Sequence, residues 1–151
     1  MLRERFAAGL KEAIKAKDAM RVSTLRLILA AVKDRDIAAR TDDGSAGVSD
    51  ADILGILGKM VKQRQDSARA YEEGGRLDLA DQERGEIMII KDYLPRQMSD
   101  VEVRAAIDRA IAATGAASIR DMGKVMAELK ARHTGKMDFA RASAAVKEAF
   151  S

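Results

Sequence analysis

The chain contains no cysteine, no tryptophan, one proline and one histidine among its 151 residues. The lack of cysteine excludes disulfides, thiol nucleophiles, iron–sulfur clusters and cysteine-ligated zinc. A single histidine also excludes a metal site built from several histidines. Only five residues are aromatic, so the stacking platforms that bind unpaired bases are missing. We therefore expect neither a metal centre nor a cofactor.

Long apolar runs are also lacking. No segment approaches the roughly 18 consecutive apolar residues of a membrane-spanning helix. The first six residues, Met1 to Phe6, are charged and amphipathic, without the apolar core of a secretory signal. We therefore expect a soluble, cytoplasmic protein with no membrane partner. A chain of this length is sufficient for one domain or two small ones.

Charge is unevenly distributed, although the formal net charge is only +3. Residues 1–41 carry ten Lys/Arg and five Asp/Glu, residues 42–94 carry seven and twelve, and residues 95–151 carry ten and seven. The middle of the chain is acidic and both ends are basic. Local positive surfaces of this kind suit a polyanion, whereas mixed charges on a helix are more often a solvated face.

Apolar periodicity is helical almost throughout, which predicts an all-α protein. Four helices are expected in residues 1–94. The first ends near residue 17, the second ends near 39, the third spans about 50–73, and the fourth begins near 78. Three more follow in residues 95–151. Pro95, the only proline, marks the expected boundary between a four-helix N-terminal domain and a smaller three-helix domain. Residues 41–49 have the composition of a loop.

Individual residues refine this helical pattern. The four-residue spacing of Phe6, Leu10 and Ile14 predicts one buried stripe on the first helix. The spacing of Ser, Thr or Asp from a following acidic residue predicts helix N-termini. These signals are Ser49 with Asp52, Ser99 with Glu102, Ser118 with Asp121, and Asp138 alone. Met122, Met126 and Met137 are expected to fill a core.

Known catalytic motifs are absent. There is no nucleophile elbow, and Gly123-Lys124 lacks the Ser or Thr that completes a phosphate-binding loop. His133, beside Arg132, is interpreted as a positive side chain suited to a helix C-terminus. Gly123 inside a helix costs about 1 kcal/mol relative to alanine. Close packing of another helix is the favoured reason, and approach of a nucleic-acid backbone to Lys124 is the alternative.

A charged side chain interrupts the apolar stripe of the third helix. Arg64 shares that stripe with Leu57, Met60 and Tyr71, while Glu83 and Glu86 lie on the inner stripe of the fourth helix. Buried charge is tolerated only when it is paired. We therefore predict an ion pair joining Arg64 to Glu83 or Glu86. No nucleophile or metal-ligand spacing accompanies it, which favours a structural role over a catalytic one.

Several motifs together resemble the GatB/YqeY family over nearly the whole chain. They are Lys-Asp-Ala-Met-Arg-Val-Ser-Thr-Leu-Arg (17–26), Lys62-x-Arg64-x-x-Ser67, Tyr71, Gly75-Arg76, Asp78-Leu79, Glu83, Glu86, Tyr93-Leu94-Pro95, Asp121-Met-Gly-Lys-Val-Met126 and Gly135. The resemblance is to a free-standing YqeY-like protein. It implies a larger N-terminal and a smaller C-terminal helical bundle. It also implies kinship with the tail of GatB, which helps hold tRNA in the tRNA-dependent amidotransferase.

The resemblance favours a non-catalytic tRNA-binding accessory module, with tRNA and components of translation or of the amidotransferase as expected partners. Candidate RNA contacts are the five cations of residues 120–136, namely Arg120, Lys124, Lys130, Arg132 and Lys136. Two alternatives stay open. One is a carbon–nitrogen ligase that uses glutamine as amido donor, although the large catalytic portion of GatB is missing. The other is a protein-interaction bundle that uses the acidic middle region. The oligomeric state is left open.

Overall fold

A computed structural model describes residues 1–39 and 47–151. Within these residues the chain forms seven α-helices and no strand, which confirms the all-α prediction. The helices are α1 (Leu2–Ala16), α2 (Ala19–Ala38), α3 (Asp50–Glu73), α4 (Leu77–Lys91), α5 (Asp100–Thr114), α6 (Met122–His133) and α7 (Phe139–Ala149). Most of the loop predicted at 41–49 lies outside the described residues.

The chain divides into two compact units, Met1–Leu94 and Pro95–Ser151. The larger unit contains α1 to α4 and the smaller unit contains α5 to α7. Each unit has its own apolar core. No helix among the described residues has the length and apolarity to cross a membrane.

Side-chain caps explain where most helices begin. Ser49 and Asp52 form a reciprocal capping box at α3, and Ser99 and Glu102 form one at α5. The Asp138 carboxylate accepts from two backbone N–H groups at the start of α7. Each cap satisfies N–H groups that have no partner within the helix. At Ser118 the prediction is only partly right, because a single 3₁₀ turn, Ile119–Asp121, precedes α6.

The core of the larger unit is formed by one face of each of its four helices. Its fully buried side chains include Phe6, Leu25, Ile28, Ile53, Leu57 and Ile90. The predicted stripe of α1 is wrong at Ile14, which is 51% exposed, while Ala13 is 2% exposed. Steps of four residues advance about 40° beyond a full turn each. After two steps from Phe6 the position has therefore rotated off the buried face.

The core of the smaller unit contains Val125 and Leu129 of α6 and Val146 of α7. Met137 is buried there, and Met122 and Met126 pack against it, which confirms their predicted role as core-filling side chains. The flexible, unbranched methionine side chain suits such irregular spaces.

An ion pair joins α3 and α4 beyond the main core. Arg64 Nε donates to Glu86 Oε2 at 2.9 Å, and the two side chains are only 14% and 11% exposed. Arg64 also donates from Nη1 to the backbone oxygen of Met60. Glu83 is half-buried nearby, and its pKa is raised first by burial and then by the charge of Glu86, against the opposing effect of Arg64. Of the two candidate partners, the structure therefore joins Glu86 to Arg64.

Candidate nucleic-acid interface

The five predicted RNA contacts are all exposed, but they do not share one face of the smaller unit. Along α6, Lys124 and Arg132 are separated by about 12 Å and lie on the same side of the helix. Lys130 is rotated by about 160° from Arg132. Arg120 belongs to the 3₁₀ turn before α6, and Lys136 follows the end of the helix. A ligand on one side of α6 can therefore reach only some of the five.

Positive charges converge on His133, the last residue of α6. Burial lowers the pKa of His133 below its ordinary value of 6.5, and Lys136, Arg109 and Arg132 lower it further. These cations come from α5, α6 and the loop after α6. The structure thus brings Arg132 and Lys136 together with Arg109, which the sequence reasoning did not select. We call Arg109, Arg132, His133 and Lys136 the basic cluster.

Hydrogen bonds accepted by two of its backbone carbonyls position the loop that carries Lys136. Gly135 adopts a φ of 78°, a conformation that favours glycine, directly before Lys136. The amide of Gln97 donates from Nε2 to the Gly135 carbonyl at 2.7 Å, and the Met98 N–H donates to the Lys136 carbonyl at 2.9 Å. Since its own backbone is anchored, Lys136 is held beside the end of α6.

Acidic side chains reduce the positive charge along the remainder of α6. Glu128 lies between Lys124 and Arg132 on the same side of the helix and forms an ion pair with Arg132. The Ala117 N–H donates to Asp121 at 2.9 Å and lowers the pKa of Asp121, and Lys124 contributes a smaller lowering. Within the described residues, Lys136 and Arg109 form no ion pair. Arg120, Lys124 and Lys130 form none among these residues either, so the basic cluster is distinguished by the approach of its cations to His133.

The packing explanation for Gly123 is wrong. Among the described residues, nothing lies within 4 Å of the position that a Cβ of Gly123 would occupy. Gly123 is exposed in the first turn of α6, next to the exposed Lys124. No close helix in the smaller unit therefore accounts for this glycine, and the surface above it is open.

The structure disfavours the positive imidazole that the sequence interpretation assigned to His133, because burial and the nearby cations lower its pKa. The unfolded chain binds a proton on this imidazole more readily, so we expect the free energy of unfolding to fall as pH decreases below about 6.5.

The Arg109→Ala and Lys136→Ala variants should each raise the pKa of His133 because they remove a nearby positive charge. Proton NMR titration of the ring reports this pKa without ambiguity, since the chain has one histidine. An unchanged pKa in both variants would contradict the basic cluster.

This chain is similar to one protein family and to several curated proteins. The model of a family described as "Yqey-like protein" matches residues 3–150. Curated relatives named "Altered inheritance of mitochondria protein 41, mitochondrial" include those of Clavispora lusitaniae and Lachancea thermotolerans. The first is 44% identical over 85 residues, 56% of this chain and 46% of the relative. The second is 33% identical over 100 residues, 65% of this chain and 51% of the relative.

These relatives also correct one expectation. The chain spans about half the length of the curated relatives it matches. The predicted cytoplasmic location is contradicted, because the names of these relatives, and that of the relative from Saccharomyces cerevisiae strain YJM789, place them in the mitochondrion. The prediction relied on the lack of a secretory signal and of a membrane span. Neither feature distinguishes the cytoplasm from the interior of an organelle.

Proposed function

Because this chain belongs to the Yqey-like protein family, over residues 3–150, we propose that it is a non-catalytic accessory module that binds folded tRNA through its smaller unit. Family membership confirms the resemblance found in the sequence. The tRNA contact and the link to amidotransferase are our inference, supported by that kinship and by the charges of the smaller unit. No step of carbon–nitrogen ligation is assigned to this chain.

The observation that carries the proposal is the convergence of Arg109, Arg132 and Lys136 on His133. Like charges gathered from three segments repel each other, and an anion relieves that repulsion. Phosphates of a folded RNA supply several negative charges at once. Arg109 and Lys136 form the centre of the proposed contact. Lys124 lies on the same side of α6 as Arg132 and extends the contact toward Gly123, where the open surface allows a phosphate backbone to approach.

The small number of aromatic side chains determines what such a surface can recognise. The smaller unit has two phenylalanines, Phe139 and Phe150, and both are half-buried against its core. Without exposed rings, unpaired bases have no stacking platform. Binding then depends on phosphate contacts and on the shape of the RNA rather than on its sequence. We therefore expect similar affinities for tRNAs with different anticodons.

The proposal predicts a steep dependence of tRNA affinity on salt. The double variant Arg109→Ala, Lys136→Ala should weaken binding of every tRNA tested and reduce the slope of log K against log salt by about two. The double variant Lys124→Ala, Lys130→Ala should reduce it by about one, because these two lysines lie on different sides of α6. Fluorescence anisotropy with a labelled tRNA transcript across a salt series measures both the affinity and the slope.

The matched control is the double variant Lys11→Ala, Lys15→Ala, which removes two exposed lysines from α1 of the larger unit. The slope of log K against log salt for this variant should equal that of the unmodified protein. If the unmodified protein shows no saturable binding at low salt, the tRNA proposal is wrong. If the α1 variant carries the loss instead, the assignment to the smaller unit is wrong.

A further inference from the structure

A small cleft lies in the larger unit beside the turn between α1 and α2. Its volume is about 250 Å³, below the ~300 Å³ at which pockets for drug-sized ligands begin. Small residues of α1 line one part of it, namely Gly9, Ala13 and Ala16. Four polar side chains complete the lining, Glu12, Asp18, Arg21 and Tyr93. The cleft therefore suits one small group or a single side chain rather than a large cofactor.

The Tyr93 side chain is largely buried, but its hydroxyl oxygen keeps contact with solvent and has no hydrogen-bond partner among the described residues. Tyr93 is 8% exposed, and within the described part of the chain its hydroxyl makes no hydrogen bond. The Phe6 and Tyr93 rings meet edge to face with centroids 5.1 Å apart, and the guanidinium carbon of Arg5 lies 5.1 Å from the centre of the Tyr93 ring. A hydroxyl that reaches solvent can exchange its hydrogen bond with water for one with a ligand. Because the side chain lines the cleft, an occupant of the cleft can satisfy it.

The lining of the cleft carries two acidic side chains, Glu12 and Asp18, and one basic side chain, Arg21. Arg21 donates from Nη2 to Asp92 at 3.0 Å, and its Nε lies 3.7 Å from Asp18. The guanidinium of Arg21 is therefore already paired. Glu12 forms no ion pair with any described residue, although Lys15 is close in sequence. The cleft thus offers an unpaired carboxylate and an unpaired hydroxyl, both of which can accept hydrogen bonds from a cation.

We propose that this cleft binds a primary alkylammonium group. The ammonium donates to the Glu12 carboxylate and to the Tyr93 hydroxyl oxygen, and the methylene stem lies against Ala13 and Ala16. This chemistry has two sources, a lysine side chain of a partner protein and a free polyamine. The site is in the larger unit and does not depend on the tRNA proposal.

NMR titration of the intact chain with n-butylammonium chloride tests the site. We expect saturable shifts of backbone amides at Gly9, Ala13 and Ala16, with a Kd in the millimolar range. Glu12→Gln and Tyr93→Phe should each weaken binding about tenfold, since each removes one hydrogen-bond acceptor of a charged donor. The matched control is Glu4→Gln, which changes another exposed carboxylate of α1 outside the cleft and should leave the Kd unchanged.

Two further probes separate the sources. Stronger binding of Nα-acetyl-lysine amide than of spermidine supports a lysine side chain, and the reverse order supports a polyamine. The proposal is overturned if shifts rise without saturation, if neutral n-butanol binds as well as the ammonium, or if Glu12→Gln binds like the unmodified protein. Because Glu12 is exposed and the Tyr93 hydroxyl has no partner, neither variant is expected to disturb the fold.

Discussion

Replacement of Arg64 by alanine is expected to lower the free energy of unfolding by about 3 kcal/mol. Arg64 and Glu86 are both largely buried, and the Nε to Oε2 distance is 2.9 Å. Without the guanidinium, the Glu86 carboxylate would remain in a poorly solvated position with no positive partner. Glu83, whose pKa is already raised by burial and by Glu86, would lose the same compensating charge. Chemical denaturation followed by circular dichroism measures the loss.

An exposed ion pair in the same two helices provides the control. Arg84 of α4 lies 2.9 Å from Glu72 of α3, but these side chains are 45% and 49% exposed. Solvent screens such a pair, so Arg84→Ala should cost about 0.5 kcal/mol. Equal effects of Arg64→Ala and Arg84→Ala would mean that burial does not determine the strength of the Arg64 pair.

Local sequence patterns predicted the helices well because their determinants are local. The capping boxes at Ser49 and Ser99 require residues three apart, and α3 begins and ends where the sequence indicated. The interruption of an apolar stripe by Arg64 was informative for a similar reason. A charge on a buried face needs a partner, and the next helix carried two carboxylates on its own inner face.

Contacts that depend on the crossing of helices were not predictable in this way. Two glycines inside helices are explained by such contacts: a Cβ at Gly9 would meet Tyr93, and a Cβ at Gly85 would lie 2.6 Å from the Met20 sulfur. Gly123 has the same helical context but no close neighbour among the described residues. All three glycines interrupt a helical pattern in the same way, so the sequence alone could not show which of them lies against a neighbouring side chain.

The basic cluster shows the same limit of local reasoning. The candidate cations lie close together along residues 120–136 of the sequence, whereas in the structure the cations that lie together are those around His133. Arg109 comes from α5, eleven or more residues earlier in the chain, and no spacing rule connects it with α6. The apolar residues of α5 that the sequence shows are Val103, Ile107 and Ile111. Arg109 lies off this stripe, on the solvent side of α5, and that was the signal that could have identified it.

Replacement of Gly9 by alanine is expected to destabilise the larger unit by about 2 kcal/mol, a typical cost of overpacking. The new Cβ would lie 2.1 Å from the Tyr93 hydroxyl oxygen. That oxygen cannot easily move away, because Phe6 and Arg5 hold the ring on two sides. This loss opposes the usual gain of about 1 kcal/mol when alanine replaces a helical glycine. Denaturant unfolding reports the net change.

A second substitution tests whether the hydroxyl is the cause. The double variant Gly9→Ala, Tyr93→Phe removes the oxygen, and the nearest remaining ring atom, Cζ, is 3.4 Å from the Cβ position. It should therefore recover most of the lost stability, while Tyr93→Phe alone should be nearly neutral because the hydroxyl has no partner among the described residues. Gly58→Ala in α3, where nothing described lies within 4 Å, should stabilise by about 0.5 to 1 kcal/mol. If the double variant is as unstable as Gly9→Ala, the close approach of Tyr93 to α1 is not what requires glycine at this position.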